Sequence, residues 1–211
     1  MLKNFLITAL LSLVFIGHSF AALAEQSPEK LILEVSQEVL DAVKKERHTF
    51  KRNPQPLKNT LLSLLDPVTD FESFAKGVMG EYRTKATPEQ LSQFMTDFKQ
   101  TLVDLYTKAL VAFEVKEMVI HETKINTPQN ANVVMKVTSP EGAIYFVQYS
   151  MRKNGKGEWQ VRNVVLDGVN LGLTYRNQFK SAMNTENQDI AKVINGWAVA
   201  MRSQEDLLAE Q

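Results

Sequence analysis

The chain contains no cysteine in its 211 residues. Disulfides, metal–thiolate sites, cysteine nucleophiles and a lipid-modified N-terminal cysteine are therefore excluded, so stability has to come from an ordinary apolar core. An excess of charge of one sign is lacking as well, because 24 basic side chains balance 24 acidic ones. This balance argues against nucleic acid as the main partner, since binding of a phosphate backbone needs a basic field.

The N-terminus carries a long apolar run. Lys3 precedes the apolar stretch 5–16, and Ala22-Leu23-Ala24 has the small-x-small pattern of a cleavage site. These features predict a signal peptide over residues 1–24 that is removed on export. The alternative is an uncleaved anchor, but the run is shorter than the roughly 20 residues that span a bilayer. We expect the mature chain, residues 25–211, to form a single domain.

Recognisable catalytic motifs are missing from the sequence. It has no Gly-x-Ser-x-Gly nucleophile elbow and no phosphate-binding loop, and His121-Glu122 lacks the second histidine of a zinc helix. We interpret His48 and His121 as surface residues, Asp70 as a helix cap and Asp167 as a turn residue. The sequence therefore predicts no catalytic residue, no metal site and no cofactor.

Helical patterns occupy the first half of the mature chain. Ser27-Pro28 resembles a helix start, and Thr87-Pro88-Glu89-Gln90 is a capping box with proline at the first helical position. The long helix that follows has an apolar stripe at helical spacing. A last helix is predicted over residues 189–201. The stripe of the long helix includes Phe94, Phe98, Leu102 and Tyr106.

Strand patterns begin after Phe113. Tyr145, Val147 and Tyr149 alternate with residues of the opposite face, the period of a half-buried strand. Short glycine-containing turns separate the strands, and strands joined by turns this short must be antiparallel. The sequence therefore predicts an α+β domain in which helices cover an antiparallel sheet of about four strands.

The region 151–179 and two upstream segments carry a resemblance to a known family. Their ordered pieces are Gly80-Glu81-Tyr82, Ala86–Gln90, the Arg152-Lys153-Asn154 turn, Trp159-Gln160, Gly168-Val169 and Tyr175–Phe179. This set resembles the MlaC family, also called the toluene-tolerance family of periplasmic phospholipid-binding proteins, over nearly the whole mature chain. The resemblance implies a nuclear-transport-factor-two-like fold, with a curved sheet and an apolar pocket between sheet and helices.

The resemblance also implies a function and its partners. We expect a soluble periplasmic carrier that holds glycerophospholipid by its acyl chains and shuttles it, which maintains outer-membrane lipid asymmetry. The implied partners are an outer-membrane lipoprotein–porin complex and an inner-membrane ABC transporter complex. Apolar pattern and resemblance together predict a lipid-binding lining of Phe74, Val78, Phe94, Phe98, Leu102, Tyr106, Tyr145, Val147, Tyr149, Val164, Leu166, Val169 and Leu171.

Two other functions remain open at this point. A non-catalytic adaptor or chaperone would have a filled core and an exposed apolar patch. An isomerase-type enzyme would place His121, Asp167 or another acid at the base of an apolar pocket.

Glycines at 77, 80, 168 and 172 are hinge candidates. A cationic cluster suited to docking a partner or lipid headgroups comprises Lys44, Lys45, Arg47, Lys51, Arg52 and Lys58.

Overall fold

The computed structural model of this protein describes the backbone of residues 26–209 and the side chains of residues 26–201. The predicted signal peptide, residues 1–24, lies outside the described residues and stays a prediction. The helices are α1 (Pro28–Phe50), α2 (Gln55–Leu65), α3 (Phe71–Met79), α4 (Pro88–Ala112), α5 (Leu171–Thr185) and α6 (Ile190–Ala209), with a short 3-10 helix at Gly80–Thr84. The strands are β1 (Glu117–Thr127), β2 (Asn130–Thr138), β3 (Ile144–Lys153), β4 (Trp159–Leu166) and β5 (Val169–Asn170).

The strands form one antiparallel sheet in chain order, β1-β2-β3-β4-β5. The predicted α+β class, with helices over a curved antiparallel sheet, is confirmed. The fifth strand has only two residues and follows a tight turn after Leu166, so the sequence pattern did not distinguish it from the end of β4. Consecutive strands pair because the turns between them are too short for a crossover.

Local capping signals determine where the helices begin. The Thr87 side chain accepts from the Gln90 backbone N–H at 3.2 Å, and the Gln90 side chain accepts from the Thr87 N–H at 2.9 Å, which confirms the capping box. Asp70 caps α3 by accepting from the Ser73 N–H at 2.9 Å. These bonds satisfy backbone donors that a helix start leaves free.

The buried apolar side chains fall into three clusters. The α1–α2 cluster is Val43, Leu57, Leu61 and Val103. The sheet cluster is Ile32, Ala131, Val133, Met135, Val137, Met151, Trp159 and Val161. The helical cluster is Phe71, Phe74, Ala75, Val78, Met79, Tyr82, Phe94, Phe98, Leu102, Tyr175, Phe179, Met183, Val193, Ile194, Trp197 and Met201.

Helix α1 lies along one face of the sheet, which we call the inner face. Its first turns contribute Ile32 to the sheet cluster, and its last turn reaches the end of α4, where Arg47 donates to the carbonyl of the C-cap residue Phe113 at 2.8 Å. Helices α3 and α5 meet the sheet at β4, and just before α3 Thr69 forms a parallel bridge to Val161. The sheet is therefore covered along α1 and at β4.

Candidate functional site

The inner face of β3 presents a row of apolar side chains at the centre of the sheet. Tyr145, Val147 and Tyr149 lie on this face, as the alternation predicts. The register places Leu166 beside Val147 and Val164 beside Tyr149 on β4. Five of the predicted lining residues therefore form one continuous apolar surface across two strands.

This row is less enclosed than its neighbours on β2. Val133 and Met135 pair with Tyr149 and Val147 across the sheet and are 0% and 3% exposed. Tyr149 and Val147 are only half-buried, although they occupy the middle strand. Helix α1 covers β1 and β2 but leaves the side chains of β3 partly accessible. The inner face thus keeps accessible apolar surface beside a closed core.

Tyr149 has the properties of a side chain that faces a narrow apolar space. Part of its surface is accessible, yet burial raises the pKa of the Tyr149 phenol to about 12, while a hydrogen bond with the Ser36 side chain opposes that shift. Desolvation of this size requires protein on most sides of the phenol. Because Ser36 lies on α1, the space is bounded by β3 and α1.

A second group of the predicted lining residues lies inside the helical cluster. Phe94 and Phe98 are 0% exposed, and Phe98 contacts the Phe74 ring edge-on at 5.2 Å between centroids. Phe94 also contacts Trp197 edge-on at 5.2 Å. Edge-to-face aromatic pairs at these distances fill the space between helices.

The remaining members of that group are enclosed as well. Phe74, Val78 and Leu102 are 6%, 1% and 9% exposed. Packing favours a core role for all of these helical residues. Their contact with lipid remains a prediction that no observation tests.

The exit from β4 into α5 carries exposed apolar side chains. Leu166 and Val169 are 39% and 54% exposed and flank a turn in which Asp167 and Gly168 adopt φ of 46° and 85°. Leu171, at the start of α5, is half-buried against the helical cluster. The turn role predicted for Asp167 agrees with this left-handed backbone, which a non-glycine residue adopts at a cost of about 1–2 kcal/mol.

Tyr106 of α4 packs against the helical cluster and contacts α5, the helix that follows β5. Its hydroxyl lies 3.0 Å from the Tyr175 hydroxyl. Burial raises the pKa of Tyr106, and the hydrogen bond with Tyr175 opposes that change. The pair places a polar bridge between α4 and α5 beside the half-buried residues Leu105 and Leu171.

The sequence reasoning missed an asparagine that links β4 to α5. Asn163 Oδ1 accepts from the Gly172 N–H at 3.0 Å, and Asn163 Nδ2 donates to Asn170 Oδ1 at 3.0 Å. Asn170 in turn caps α5 by accepting from the Leu173 N–H. A Cβ at Gly172 would lie 2.6 Å from Asn163 Oδ1, so this glycine allows a close approach. No sequence motif signals a contact between residues on different elements.

The α1 residues that bound the site were also missed. The sequence places Ile32 and Val39 at helical spacing, but it does not show which elements these two side chains pack against. In the structure Ile32 is 5% exposed against the sheet cluster, and Val39 packs on the α1–α2 cluster. A helix with apolar residues on two sides can lie between a sheet and other helices.

The groups proposed for enzyme chemistry do not converge on this surface. His121 is exposed, with its ring 5.3 Å from Phe146 on the outer face, and Asp167 is exposed in the β4–β5 turn. Within residues 26–201 no group of three or more His, Cys, Asp or Glu side chains is arranged to hold a metal. The arrangement can bury apolar ligand surface but offers no paired acid and base there.

The cationic cluster is partly neutralised. Arg47 pairs with Glu114 at 3.0 Å, and Lys58 pairs with Asp104 at 2.7 Å. Lys44, Lys45, Lys51 and Arg52 are exposed at the end of α1.

No helix in the described part of the chain is both long and apolar enough to span a bilayer.

A surface cleft of about 590 Å³ opens at the end of the inner face. Phe113, Ser139 and Tyr145 line it, and the Phe113 and Tyr145 rings meet edge-on at 5.3 Å. This cleft lies beside the apolar row of β3 because Tyr145 belongs to both. It is bordered by Glu114 and Glu141, so its rim is polar.

Comparison with known proteins agrees with this architecture. The "Toluene tolerance protein ttg2D" of Pseudomonas putida is 37% identical over 176 residues, which cover 83% of this chain and 81% of that protein. The phospholipid-binding protein from Ralstonia solanacearum, solved in complex with a phospholipid, has the same fold at a TM-score of 0.73 and 21% identity. That match covers 87% of this chain and 99% of the solved one. The family described as MlaC protein matches residues 33–199, and the chain belongs to the MlaC family.

Proposed function

We propose that this chain binds a glycerophospholipid by its acyl chains, in the space between the inner face of the sheet and the helices. The observation that carries the proposal is the accessible apolar surface of Val147, Tyr149 and Val164 beside a closed sheet cluster. The solved relative from Ralstonia solanacearum, described as phospholipid-binding and in complex with a phospholipid, supports the same ligand. The lining we propose combines two groups, the half-buried Tyr145, Val147, Tyr149, Val164 and Leu171 and the exposed Leu166 and Val169.

Acyl-chain burial is sufficient to explain carriage through water. Each exposed CH₂ costs about 0.8 kcal/mol, so two acyl tails represent on the order of 20 kcal/mol. A protein that covers the tails and leaves the headgroup in water removes most of this cost. No covalent step is needed, and affinity is expected to depend on tail burial more than on headgroup type.

The proposed carrier works in the periplasm between two membranes. The predicted signal peptide and the family membership support this location. The partners we propose are an outer-membrane lipoprotein–porin complex and an inner-membrane ABC transporter complex, so that shuttling maintains outer-membrane lipid asymmetry. The four exposed cations at the end of α1 are the docking residues we propose, through charge attraction that salt would weaken.

Native mass spectrometry of residues 25–211, purified from a bacterial periplasm without detergent, tests the proposal. We expect a population heavier by the mass of one phospholipid, with the same lipid recovered by solvent extraction. Protein that remains at its polypeptide mass, even after incubation with phospholipid vesicles, would contradict acyl-chain binding.

The second candidate is an adaptor or chaperone with a filled core. The exposed apolar side chains Ile144 and Phe146, at 52% and 41% exposure on the opposite face of β3, favour it because such a patch suits a protein partner. It predicts no bound lipid. It also predicts that replacing the exposed patch weakens binding of the protein partner more than replacing the lining residues does. The same mass measurement separates the two candidates.

A further inference from the structure

The outer face of the sheet, opposite α1, carries a polar cleft of about 370 Å³. It lies at the end of the sheet where β1 turns into β2. Its volume falls at the lower end of the range for small-ligand pockets, about 300–1,000 Å³. Polar side chains from β1, β2, β3 and β4 line it: Asn126, Asn130, Asn132, Ser150, Arg152 and Arg162. Ser73 of α3, Ala131 and Met151 complete the lining.

Two β-bulges present residues to this cleft. The register of β1 against β2 shifts between Ile125 and Thr127, which leaves Asn126 as the extra residue. The register of β3 against β4 shifts at Ser150 and Met151, which leaves Arg162 as the extra residue on β4. Bulges redirect a side chain and are frequent beside functional sites. Two separate irregularities in the sheet therefore bring side chains to one place.

The cleft is cationic. Arg152 is exposed and forms no ion pair within the described residues. Arg162 contacts Asp70 through Nε at 3.4 Å, and Asp70 also accepts from the Ser73 N–H. Of the described residues that line the cleft, none is acidic. Asp70 therefore offsets one of the two guanidinium charges.

Hydrogen-bond donors surround these charges. The side chains of Asn126, Asn132 and Ser150 make no hydrogen bond to another described residue. Asn132 and Ser150 are direct neighbours across β2 and β3, and both point to the outer face. Amide and hydroxyl donors beside two guanidinium groups match an oxyanion with several acceptor oxygens.

We infer that this cleft binds a phosphate group. The guanidinium fork suits phosphate oxygens in bidentate contact, and the lining includes no aromatic ring to stack on a base. The phosphate belongs either to a lipid headgroup or to a small free phosphate compound. The inference does not depend on the acyl-chain site, because none of the residues proposed to line that site lines this cleft.

The test uses the mature chain and two probes, inorganic phosphate and glycerol 3-phosphate. Binding is followed by calorimetry and by amide NMR shifts at constant ionic strength. We expect saturable shifts at Asn126, Asn132 and Ser150, and Arg152→Ala should weaken binding about tenfold, the effect of losing a charged hydrogen bond worth about 1.4 kcal/mol. Arg83→Ala, which removes the same charge from an exposed position on the 3-10 helix outside the cleft, should leave affinity unchanged.

Arg152→Lys separates guanidinium recognition from general charge. It keeps the charge, so an affinity like that of Arg152→Ala would support bidentate binding, and wild-type affinity would overturn it. Equal weakening by Arg152→Ala and Arg83→Ala, or no saturable shift at the three amides, would also overturn the inference. If binding is found, loading the protein from phospholipid vesicles identifies the source: loss of phosphate binding indicates the headgroup, and retained binding indicates a free compound.

Discussion

The helical cluster and the inner face of β3 are built from similar residues and differ in how completely they are packed. Phe94, Phe98 and Trp197 are 0%, 0% and 2% exposed and contact one another through their rings. Val147 and Tyr149 remain half-buried on the central strand. Apolar composition therefore does not distinguish a filled core from a binding surface.

The difference arises from geometry. Four helices and a 3-10 turn surround the helical cluster, so rings approach from several directions and close the space. The sheet is curved and is met by α1 over β1 and β2 and by α3 and α5 at β4. Between these two lines of contact Val147 and Val164 stay partly accessible, while the Tyr149 phenol reaches Ser36 of α1. A carrier needs one region that closes for stability and another that leaves apolar surface accessible.

The largest expected effect is on the stability of the helical cluster. Phe98→Ala should lower the free energy of unfolding by about 3–5 kcal/mol, because it removes a ring in contact with four others and leaves a cavity. Leu110→Ala, at the exposed end of the same helix, should change it by about 0.5 kcal/mol or less. Urea denaturation measures both. If Phe98→Ala kept its stability and lost bound lipid, the two regions would not differ as described.

The next effect concerns lipid loading at the sheet. Leu166→Asp should abolish co-purified lipid, because a carboxylate on the inner face would have to be buried beside acyl chains. Ile144→Asp is the matched control, since Ile144 is 52% exposed on the opposite face of the neighbouring strand. Both changes should alter stability by about 1 kcal/mol or less.

Native mass spectrometry and lipid extraction measure the loading of these variants. Retained lipid in Leu166→Asp would remove this residue from the proposed lining. Loss of lipid in Ile144→Asp as well would show that the effect is not specific to the inner face.

The contact between β4 and α5 links the two regions and gives a smaller effect. Gly172→Ala should destabilise the fold by about 1–3 kcal/mol, because the new Cβ would lie 2.6 Å from Asn163 Oδ1. Gly196→Ala in α6 has no atom within 4 Å of the new Cβ and should stabilise by about 0.5–1 kcal/mol. Opposite signs in denaturant midpoints are expected. Two changes of the same sign would contradict the close approach at Gly172.

The smallest effect is a pH dependence at Tyr149. Its folded pKa of about 12 exceeds the value near 10 of an unfolded phenol, so the folded state binds this proton more tightly. The contribution to stability is complete below pH 10 and is lost as the pH rises to about 12. Tyr149→Phe should remove this part of the alkaline stability loss. Titration of phenolate absorbance against pH, compared between the wild type and Tyr149→Phe, measures the pKa of Tyr149. Ionisation of Tyr149 near pH 10 would contradict its burial.

Local signals account for much of the fold. The capping box at Thr87, the cap at Asp70 and the alternation through Tyr149 each act within a few residues, so they were readable from the sequence. The last helix continues to Ala209, beyond the predicted end at residue 201, because helix ends without a strong stop signal are poorly marked. The bulges at Asn126 and Arg162 depend on pairing between strands and left no pattern in the chain.

The candidate site was less predictable than the fold. Phe94 and Val147 were both expected to line a pocket, because each belongs to an apolar stripe. In the structure Phe94 is enclosed by Phe98, Phe179 and Trp197, whereas Val147 keeps accessible surface. A stripe indicates which face turns away from water and carries no information on whether another element reaches that face.

The sequence by itself determined the order of helices and strands apart from β5, the antiparallel pairing and the absence of thiol chemistry, because these follow from periodicity, turn length and composition. The tertiary structure alone decided that α1 lies on β1 and β2, that aromatic rings from four helices close the helical cluster, and that β3 keeps apolar surface accessible. The physical reason is that burial depends on the distance between elements far apart in the chain, and this distance is set by sheet curvature and helix contact together.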